Sequence, residues 1–317
     1  MFHNSSANWG LNMGILETEF IDAVNNLSKK HQPAHLLVGI GDDTAVLKKT
    51  EHDLLFAADM LMDGIHFKLK DIDPILVGRK ALAVNLSDIA AMGGRPIAVT
   101  VSLAVPESTD PAVPLHIMEG VFALAKTYNV AVSGGDTNVW KHPLVIDVAV
   151  IGEVSKKGPV LRSGAKTGDH IFVTGPLGLS IQGKHLSFEP RIKEAQFLHE
   201  HYSLTSMIDI SDGLAKDLRL VLKASRCGAI LTTEKVPRSK DIDGLACSIE
   251  QALTDGEDFE LCFTLSSDDA ARLKNDVKYP GAELFDIGII TAEQKFCFET
   301  GKDIQLNGYV HGGNIDS

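Results

Sequence analysis

Two adjacent carboxylates, Asp42 and Asp43, stand in the segment "GIGDDTAVL" (39–47), after a glycine-rich turn and before a short apolar run. Neighbouring like charges repel each other, and aspartate is rare in strands, so local folding gives little reason for the pair. Turn chemistry explains one aspartate readily. Two adjacent aspartates are better explained if further carboxylates converge on the same place, where they could bind a cation together.

Other aspartates recur at predicted strand ends and glycine turns. Asp59 ends the apolar run "LLFAAD", Asp136 follows two glycines in "SGGDT", and Asp209 and Asp212 lie in "IDISDG", where a strand leads into a helix. Each of them alone is ordinarily a turn residue or a helix N-cap. Because α/β proteins place their ligands at strand ends, the recurrence favours a shared site.

A further acidic residue lies in the apolar helical pattern "ALAVNLSDIAAM". Asn85 and Asp88 are three residues apart and share one face of this helix. A carboxylate is costly to bury in such a segment without a partner. Asp88 is therefore a candidate member of the same site.

Oxygen ligands of this kind suit Mg²⁺, which is usually shared between carboxylates and substrate phosphates. Phosphoryl transfer needs mainly positioning and charge neutralisation, so no covalent nucleophile is expected. The chain has no GxSxG or HExxH motif. The segment "GLSIQGKH" (178–185) matches G-x-x-x-x-G-K, but His185 stands where a P-loop needs Ser or Thr for the metal, which disfavours a P-loop.

Alternating α and β patterns predict the elements that would position these residues. Apolar, β-branched runs predict strands, and amphipathic or alanine-rich runs predict helices. The predicted strands cover 54–61, 96–106, 143–154 and 170–175, the helices cover 77–94 and 114–130, and a strand-to-helix transition covers 206–225. We therefore predict an α/β (α+β) protein with a flexible extension at 1–12 and two domains at 13–154 and 155–317.

Composition limits the classes of partner. The chain has 317 residues, a net charge of −12 and no Lys/Arg cluster, which argues against nucleic acid and anionic membranes as partners. The four cysteines show no CxxC spacing, so reduced thiols are expected rather than disulfides or a zinc site. Neither a signal peptide nor an apolar run of membrane-spanning length is evident. We expect a cytoplasmic protein.

A series of motifs, in this order, resembles the thiamine-monophosphate kinase family within the AIR synthase, selenophosphate synthetase and HypE superfamily. The motifs are "GIGDDTAVL", "ADMLMDGIHF", "GRKALAVNLSDIAAMGG", "SLAVP", "SGGDT", "LRSGAKTGD", "MIDISDGLAKDL" and "DGEDFELCFT", with "GYVH" near the end. The resemblance implies a two-domain AIR-synthase-like fold, in which a mixed-sheet N-terminal domain dimerises and an α/β domain follows. It implies a homodimer that binds ATP and several Mg²⁺ ions and transfers phosphate directly to thiamine phosphate.

The resemblance also implies a role for individual residues. The magnesium positions of the family match Asp43, Asp59, Asp88, Asp136, Asp209 and Asp212. Its nucleotide contacts match Gly135, Asp136, Arg162 and Ser211, and its thiamine phosphate contacts match His66, Glu257 and Tyr309. Asp42 matches the other half of the double-aspartate motif and has a supporting role.

Four segments depart from the family pattern. Ala57 and Ala58 replace hydroxyl residues before Asp59, which puts the number of metal ions in question. Gln182 and Lys184 replace small or apolar residues, and the last aromatic residue after "GYVH" is missing. The family's "GGED" is "DGED" here, so that Asp255 adds a negative charge beside Glu257.

These departures leave two alternatives open. One is a superfamily enzyme that acts on another small substrate with AIR-synthase-like chemistry. The other is a non-catalytic homologue that binds metal and nucleotide without turnover.

Overall fold

The computed structural model describes residues 20–40, 43–276, 279 and 281–304. The chain divides into two compact units, one formed by residues 1–85 and 96–152 and the other by residues 86–95 and 153–317. The boundary after residue 152 lies two residues before the sequence-based boundary after 154. Residues 86–95, which we assigned to the first domain, group with the second unit. The predicted extension 1–12 lies outside the described residues.

The first unit combines short and long strands with helices. Its chain order is α1 (20–29), β1 (Leu36–Val38), β2 (Val46–Leu47), β3 (Leu54–Met62), α2 (Pro74–Ala91), β4 (Arg95–Pro106), α3 (Ala112–Tyr128), β5 (Ala131–Trp140) and β6 (Val145–Glu153). Strands β1 and β2 pair antiparallel. Over the described residues, a four-stranded sheet has the order β3-β6-β4-β5, in which β4 and β5 are parallel.

Helices α2 and α3 of this unit approach each other at two glycines. A Cβ atom on Gly78 would lie 1.8 Å from the carbonyl oxygen of Ile117, and one on Gly120 would lie 1.9 Å from that of Ile75. Because no side chain fits at either position, the two backbones pack in direct contact. Much of α2 is buried, which agrees with its apolar sequence.

The second unit contains the end of α2, from residue 86, and the elements that follow β6. The latter are β7 (His170–Val173), a 3-10 helix (Ser180–Gln182), α4 (Lys184–Ser187), α5 (Ile192–His201), β8 (Ser206–Ile210), α6 (Leu214–Ser225), β9 (Gly228–Leu231), a 3-10 helix (Thr233–Lys235), α7 (Ile249–Thr254), β10 (Glu260–Leu265), α8 (Ser267–Lys274), β11 (Phe285–Thr291) and β12 (Phe296–Phe298). In the described part of the chain its sheet has the order β12-β9-β11-β7-β10-β8. Pairing is antiparallel except between β12 and β9, so the sheet is mixed.

Burial explains why the strand-to-helix segment 206–225 folds as predicted. Every residue of β8 is buried, as is every residue of its neighbour β10. Helix α6 buries one face, which includes Leu214, Leu218 and Val221, in the core of the second unit. The apolar run thus forms a fully buried strand at one end of the strand order, and the amphipathic helix that follows buries its apolar face in the same core.

The other predicted strands and helices are confirmed, but two aspartates do not lie where their motifs suggested. Strand β3 continues to Met62, so Asp59 lies within the strand rather than at its end. Strand β5 runs through "SGGDT", so Asp136 lies in a strand rather than in a glycine turn. Pairing with a neighbouring strand outweighs the low strand propensity of glycine and aspartate at both places.

The thiols behave as the sequence suggests, since all four cysteines are free and buried. In the described ranges of the chain, no helix has the length and apolar character needed to cross a membrane.

Candidate functional site

A pocket in the first unit brings together three of the predicted residues. Asp43, Gly135 and Asp136 line a cavity of about 470 Å³ together with residues of α1, β4 and α3. Asp43 follows β1 and precedes β2, whereas Gly135 and Asp136 lie on β5. Both carboxylates belong to exposed residues and can therefore meet a ligand that enters the pocket.

Gly135 allows β5 to pair closely with β4 at this pocket. A Cβ atom at this position would lie 1.8 Å from the carbonyl oxygen of Val101, so no other residue fits without displacing the strand. The next residue, Asp136, pairs with Ser102 in the parallel register. The side-chain amide of Asn138 donates a hydrogen bond of 2.7 Å to Asp136 Oδ2, which orients the carboxylate.

Asp59 lies in a second acidic environment of the first unit. Its backbone N–H donates to Oδ1 of the buried Asn85 at 3.1 Å, and Asn85 in turn donates to the carbonyl of Ala81. Burial raises the pKa of Asp59, and the negative charge of Asp147 on β6 raises it further. A bound cation would relieve the cost of keeping these two carboxylates ionised.

His66 lies in the loop after β3, and its tautomer is fixed by the backbone. The N–H of Met62 donates to His66 Nδ1 at 3.0 Å, so a neutral imidazole carries its proton on Nε2. The completely buried Lys80 donates from Nζ to the carbonyl of His66 at 2.8 Å. In this tautomer Nε2–H is a hydrogen-bond donor, the kind of group that binds an acceptor such as a phosphate oxygen.

The second unit places another carboxylate at the end of β8. The hydroxyl of Ser87 donates to Asp209 Oδ2 at 2.7 Å, and both residues are buried. Asp88, the neighbour of Ser87 in the chain, is half-buried on the same helix, α2. Asp209 is therefore held by Ser87, which precedes Asp88 in the chain.

Asp217 is a carboxylate that the sequence analysis did not single out. It is almost completely buried in α6, and its Oδ2 accepts a hydrogen bond of 3.0 Å from the backbone N–H of Asp212. Burial raises the pKa of Asp217 to about 7, and the charge of Asp209 contributes to the rise. Asp212 itself forms an ion pair of 2.5 Å with Lys216. Asp209, Asp212 and Asp217 thus cluster at the end of β8.

Ser211 and Glu257 are joined through their backbones. The N–H of Glu257 donates to the carbonyl of Ser211 at 2.7 Å, and that of Phe259 donates to the carbonyl of Ile210 at 2.8 Å. Glu257 and Phe259 have left-handed backbone angles, with φ of 58° and 49°. Such a conformation is costly for residues other than glycine and is common where a side chain must be held for a ligand.

Arg162 lies on an exposed segment that is attached to the same region of the second unit. The N–H of Met207 on β8 donates to the carbonyl of Leu161 at 3.1 Å. Ser225, at the end of α6, donates to the carbonyl of Arg162 and accepts from the amides of Gly164 and Ala165. The backbone is fixed while the residue remains exposed, which suits a guanidinium that binds phosphate.

The first unit thus holds Asp43, Asp59, Asp136, Gly135 and His66, whereas the second holds Asp88, Asp209, Asp212, Arg162, Ser211 and Glu257. Asp42 and Tyr309 lie outside the described residues. Within the part of the chain that is described, no three His, Cys, Asp or Glu side chains form a group that could hold a metal ion alone. Mg²⁺ commonly binds one or two carboxylates and completes its shell with water and substrate phosphates, so the oxygen-only donors fit this ion.

Three contributing residues have weak signals in the sequence. Lys80 and Asp147 lie in helical and strand patterns where a charged residue ordinarily faces solvent. Asp217 follows Asp212 by five residues and resembles an ordinary first-turn helix acid. Only the burial of Lys80 and Asp217 and the proximity of Asp147 to Asp59 reveal their roles.

Two family models match the chain. The AIR synthase related protein N-terminal domain matches residues 41–154, and the corresponding C-terminal domain matches residues 166–299. Together they cover more than half of the chain. The first match includes residues 86–95 and ends two residues beyond the boundary after residue 152, whereas the second match lies within the second unit.

Curated relatives are named thiamine-monophosphate kinase. The protein of Rhodopirellula baltica is 37% identical over 260 residues, which are 78% of this chain and 82% of that protein. The protein of Escherichia coli is 37% identical over 306 residues, which are 86% of this chain and 91% of that protein. The matches cover more than four fifths of each of these two relatives.

Solved structures give the same result. Thiamine-monophosphate kinase from Stenotrophomonas maltophilia matches with a TM-score of 0.78 and 30% identity, over 90% of this chain and 96% of that one. AaThiL complexed with AMPPCP and TMP matches with a TM-score of 0.73 and 29% identity, over 86% and 91% of the two chains. Escherichia coli HypE, at 17% identity and a TM-score of 0.74, shares the fold.

Proposed function

The chain belongs to the thiamine-monophosphate kinase family of AIR synthase related proteins, and from this premise we propose that it transfers the γ-phosphoryl group of ATP to thiamine monophosphate. The products are thiamine diphosphate and ADP. The observation that carries the proposal is the similarity over both domains to kinases of that name. One relative with this fold was solved with AMPPCP, an analogue of ATP, together with TMP.

The reaction we propose is a direct in-line displacement. A phosphate oxygen of thiamine monophosphate attacks the γ-phosphorus while the bond to the β,γ-bridging oxygen breaks, and ADP leaves with that bond's electron pair. The acceptor is already an oxyanion, so no side chain is needed as a covalent nucleophile. The residues of the chain serve to bind, orient and neutralise the reactants.

We assign the carboxylates to Mg²⁺. The proposed ligands are Asp43, Asp59, Asp88, Asp136, Asp209 and Asp212. When bound, the ions would neutralise phosphate charge and align the oxygens of ATP. The cluster of acidic groups around Asp209 and the raised pKa of Asp59 support this assignment, since both regions would be stabilised by a cation.

The remaining residues are assigned to the reactants. Arg162 presents a planar fork to phosphate oxygens, and Gly135 and Ser211 contact the nucleotide. On the acceptor side, the Nε2–H of His66 donates to a phosphate oxygen, and Glu257 binds the amino-bearing, cationic part of thiamine. Tyr309 stays a proposed contact with the heterocycle, and Asp42 a supporting residue.

The test is an assay of the purified protein with ATP, Mg²⁺ and thiamine monophosphate, in which thiamine diphosphate and ADP should form in equal amounts. Release of inorganic phosphate with another small substrate would instead favour AIR-synthase-like chemistry. Stabilisation by nucleotide without turnover of any candidate substrate would favour a non-catalytic homologue.

Asp136→Asn makes the assay specific for the proposed site. Asp136 is exposed and its carboxylate accepts from Asn138, so we expect the melting temperature to stay nearly constant. Activity should fall by about a hundredfold or more because a metal ligand loses its charge. A large loss of melting temperature in the absence of metal would instead make Asp136 a structural residue.

A further inference from the structure

The turn that carries Glu257 is joined to a second segment of the same unit, residues 174–184. Asp258, which is completely buried, accepts hydrogen bonds from the backbone N–H of Gly178 at 3.0 Å to Oδ1 and 3.2 Å to Oδ2. The hydroxyl of Ser180 also donates to Asp258 Oδ1. One buried carboxylate thus receives donors from both ends of the tripeptide 178–180.

Asp255 contacts Leu179, the residue between Gly178 and Ser180. Its Oδ2 accepts a hydrogen bond of 3.0 Å from the N–H of Leu179. Asp255 stands where the family pattern has the first glycine of "GGED", and it adds a negative charge two residues before Glu257, the proposed substrate contact. The structure shows that this carboxylate serves as a backbone acceptor.

Glu260, the first residue of β10, adds further contacts to the segment 174–184. Its buried carboxylate accepts from the hydroxyl of Thr174 at 2.8 Å and from Lys184 Nζ at 2.9 Å. Arg191 adds two hydrogen bonds, from Nε at 2.7 Å and from Nη2 at 2.9 Å. Lys184, the lysine of the P-loop-like segment, is therefore held by the protein's own carboxylate.

The backbone on both sides of this junction is strained. Leu179 has a left-handed φ of 59°, as do Glu257 and Phe259 at 58° and 49°. Residues with side chains keep such angles only where surrounding contacts enforce them. On one side the turn is held by Ile210 and Ser211, and on the other Asp255 and Asp258 join it to the tripeptide 178–180.

We propose that Asp255 and Asp258 are positioning residues, which fix the turn carrying Glu257 against the tripeptide 178–180. Asp255 adds a contact that the family's glycine at this position could not make. The proposal rests on the proposed function, in which Glu257 binds thiamine monophosphate. Both carboxylates act through Glu257 because their oxygens are engaged by backbone and hydroxyl donors. Loss of these contacts should therefore weaken the binding of thiamine monophosphate and leave the binding of ATP nearly unchanged.

Asp255 is the better residue to test because it is only half-buried and a variant is expected to fold. Asp255→Ala removes the acceptor for the Leu179 N–H, whereas Asp255→Asn keeps an acceptor oxygen. Glu299→Ala is the matched control, since Glu299 also accepts a backbone N–H, that of Thr233, at an exposed site. Melting temperature, steady-state kinetics and amide hydrogen exchange are measured for all three variants and the wild type.

We expect Asp255→Ala to raise the KM for thiamine monophosphate by about fivefold to tenfold, as the loss of one charge-assisted hydrogen bond allows. The KM for ATP should stay within about twofold of the wild type. Asp255→Asn should have a KM for thiamine monophosphate close to that of the wild type, and Glu299→Ala should leave both KM values unchanged. An equal effect on both substrates, or an unchanged KM for thiamine monophosphate, would overturn the proposal.

Amide exchange separates this proposal from the proposed function. In Asp255→Ala, the amides of Leu179 and Glu257 should exchange faster than in the wild type, because the turn loses one of its fixed contacts. If the wild type fails to phosphorylate thiamine monophosphate, the proposed function fails. Amide exchange then still tests whether Asp255 positions the turn. Unchanged exchange at Glu257 would then show that Asp255 does not position the turn.

Discussion

The hydroxyl of Ser87 donates a hydrogen bond of 2.7 Å to Oδ2 of Asp209, and both residues are buried. Asp209 follows a run of apolar residues in a fully buried strand, where an ionised carboxylate requires a donor or a cation. Ser87 supplies one such donor, to Oδ2 of the carboxylate. The serine in "NLSDIAA" thus orients the proposed metal ligand.

We predict that Ser87→Ala raises the Mg²⁺ concentration needed for half-maximal activity by about tenfold, since residues that orient metal ligands have effects of this size. The measurement is initial rate against Mg²⁺ concentration. Ser206→Ala is the control, because Ser206 is also buried and its hydroxyl is bonded at 2.7 Å to Thr264 rather than to a carboxylate. Equal Mg²⁺ requirements in the two variants would contradict an orienting role for Ser87.

Gly135 and Gly134 allow a second matched comparison in strand β5. A Cβ atom at Gly135 would lie 1.8 Å from the Val101 carbonyl oxygen, whereas one at Gly134 would meet its nearest neighbour, a Thr100 methyl group, at 4.0 Å. We predict that Gly135→Ala lowers the free energy of unfolding by about 3 kcal/mol or more, because β5 must move away from β4. Gly134→Ala should stay within about 1 kcal/mol of the wild type. Urea denaturation checks both values, and similar stabilities would contradict the steric argument.

The sequence predicted the elements well where a single periodicity dominates. The apolar runs of β3 and β4 and the helices α2 and α3 are confirmed because burial on a sheet or between helices imposes a clear pattern. The motif "SGGDT" was misjudged because its glycines and aspartate are poor strand formers taken alone. Only the pairing of β5 with β4, which no local pattern encodes, makes it a strand.

The candidate site was predicted as residue types but not as contacts. The aspartates stand out in the sequence because their motifs resemble a family, and the pocket brings Asp43 and Asp136 together. The partners that orient the site, such as Ser87 for Asp209 and Asp255 for Leu179, are distant in sequence. Their effect comes from tertiary packing, which spacing within one segment does not reveal.

Strand β3 gives the expected homodimer a testable surface. Leu54, Phe56 and Met60 alternate along this strand, at one end of the strand order, with exposures of 59%, 74% and 52%. Three large apolar side chains on one strand face favour a partner surface. We predict that the wild type is a dimer by light scattering and that Phe56→Glu shifts it to a monomer. Ile242→Glu, at a completely exposed apolar residue of the second unit, should leave the dimer intact, and a monomeric wild type would refute the prediction.

Asp258 predicts a defined pH dependence of stability. Burial raises its pKa to about 6 from the ordinary 3.8, and the charge of Glu260 adds to the rise, whereas the hydrogen bonds from Ser180 and Gly178 and the charge of Lys184 oppose it. The folded protein therefore binds this proton more tightly than the unfolded chain does. The resulting stabilisation is fully present below pH 3.8 and is lost as the pH rises through about 6, and the shift corresponds to about 3 kcal/mol.

We predict that Asp258→Asn, which cannot titrate, removes this component. Between pH 4 and pH 7 the wild type should lose up to about 3 kcal/mol of unfolding free energy relative to the variant, and the difference should be constant above pH 7. Urea denaturation of both proteins at half-unit pH intervals measures the difference directly. All other groups are common to both proteins, so their contributions largely cancel in the difference. Parallel stability curves from pH 4 to pH 7 would show that Asp258 is ionised throughout this range, held as an anion by its donors from the tripeptide 178–180.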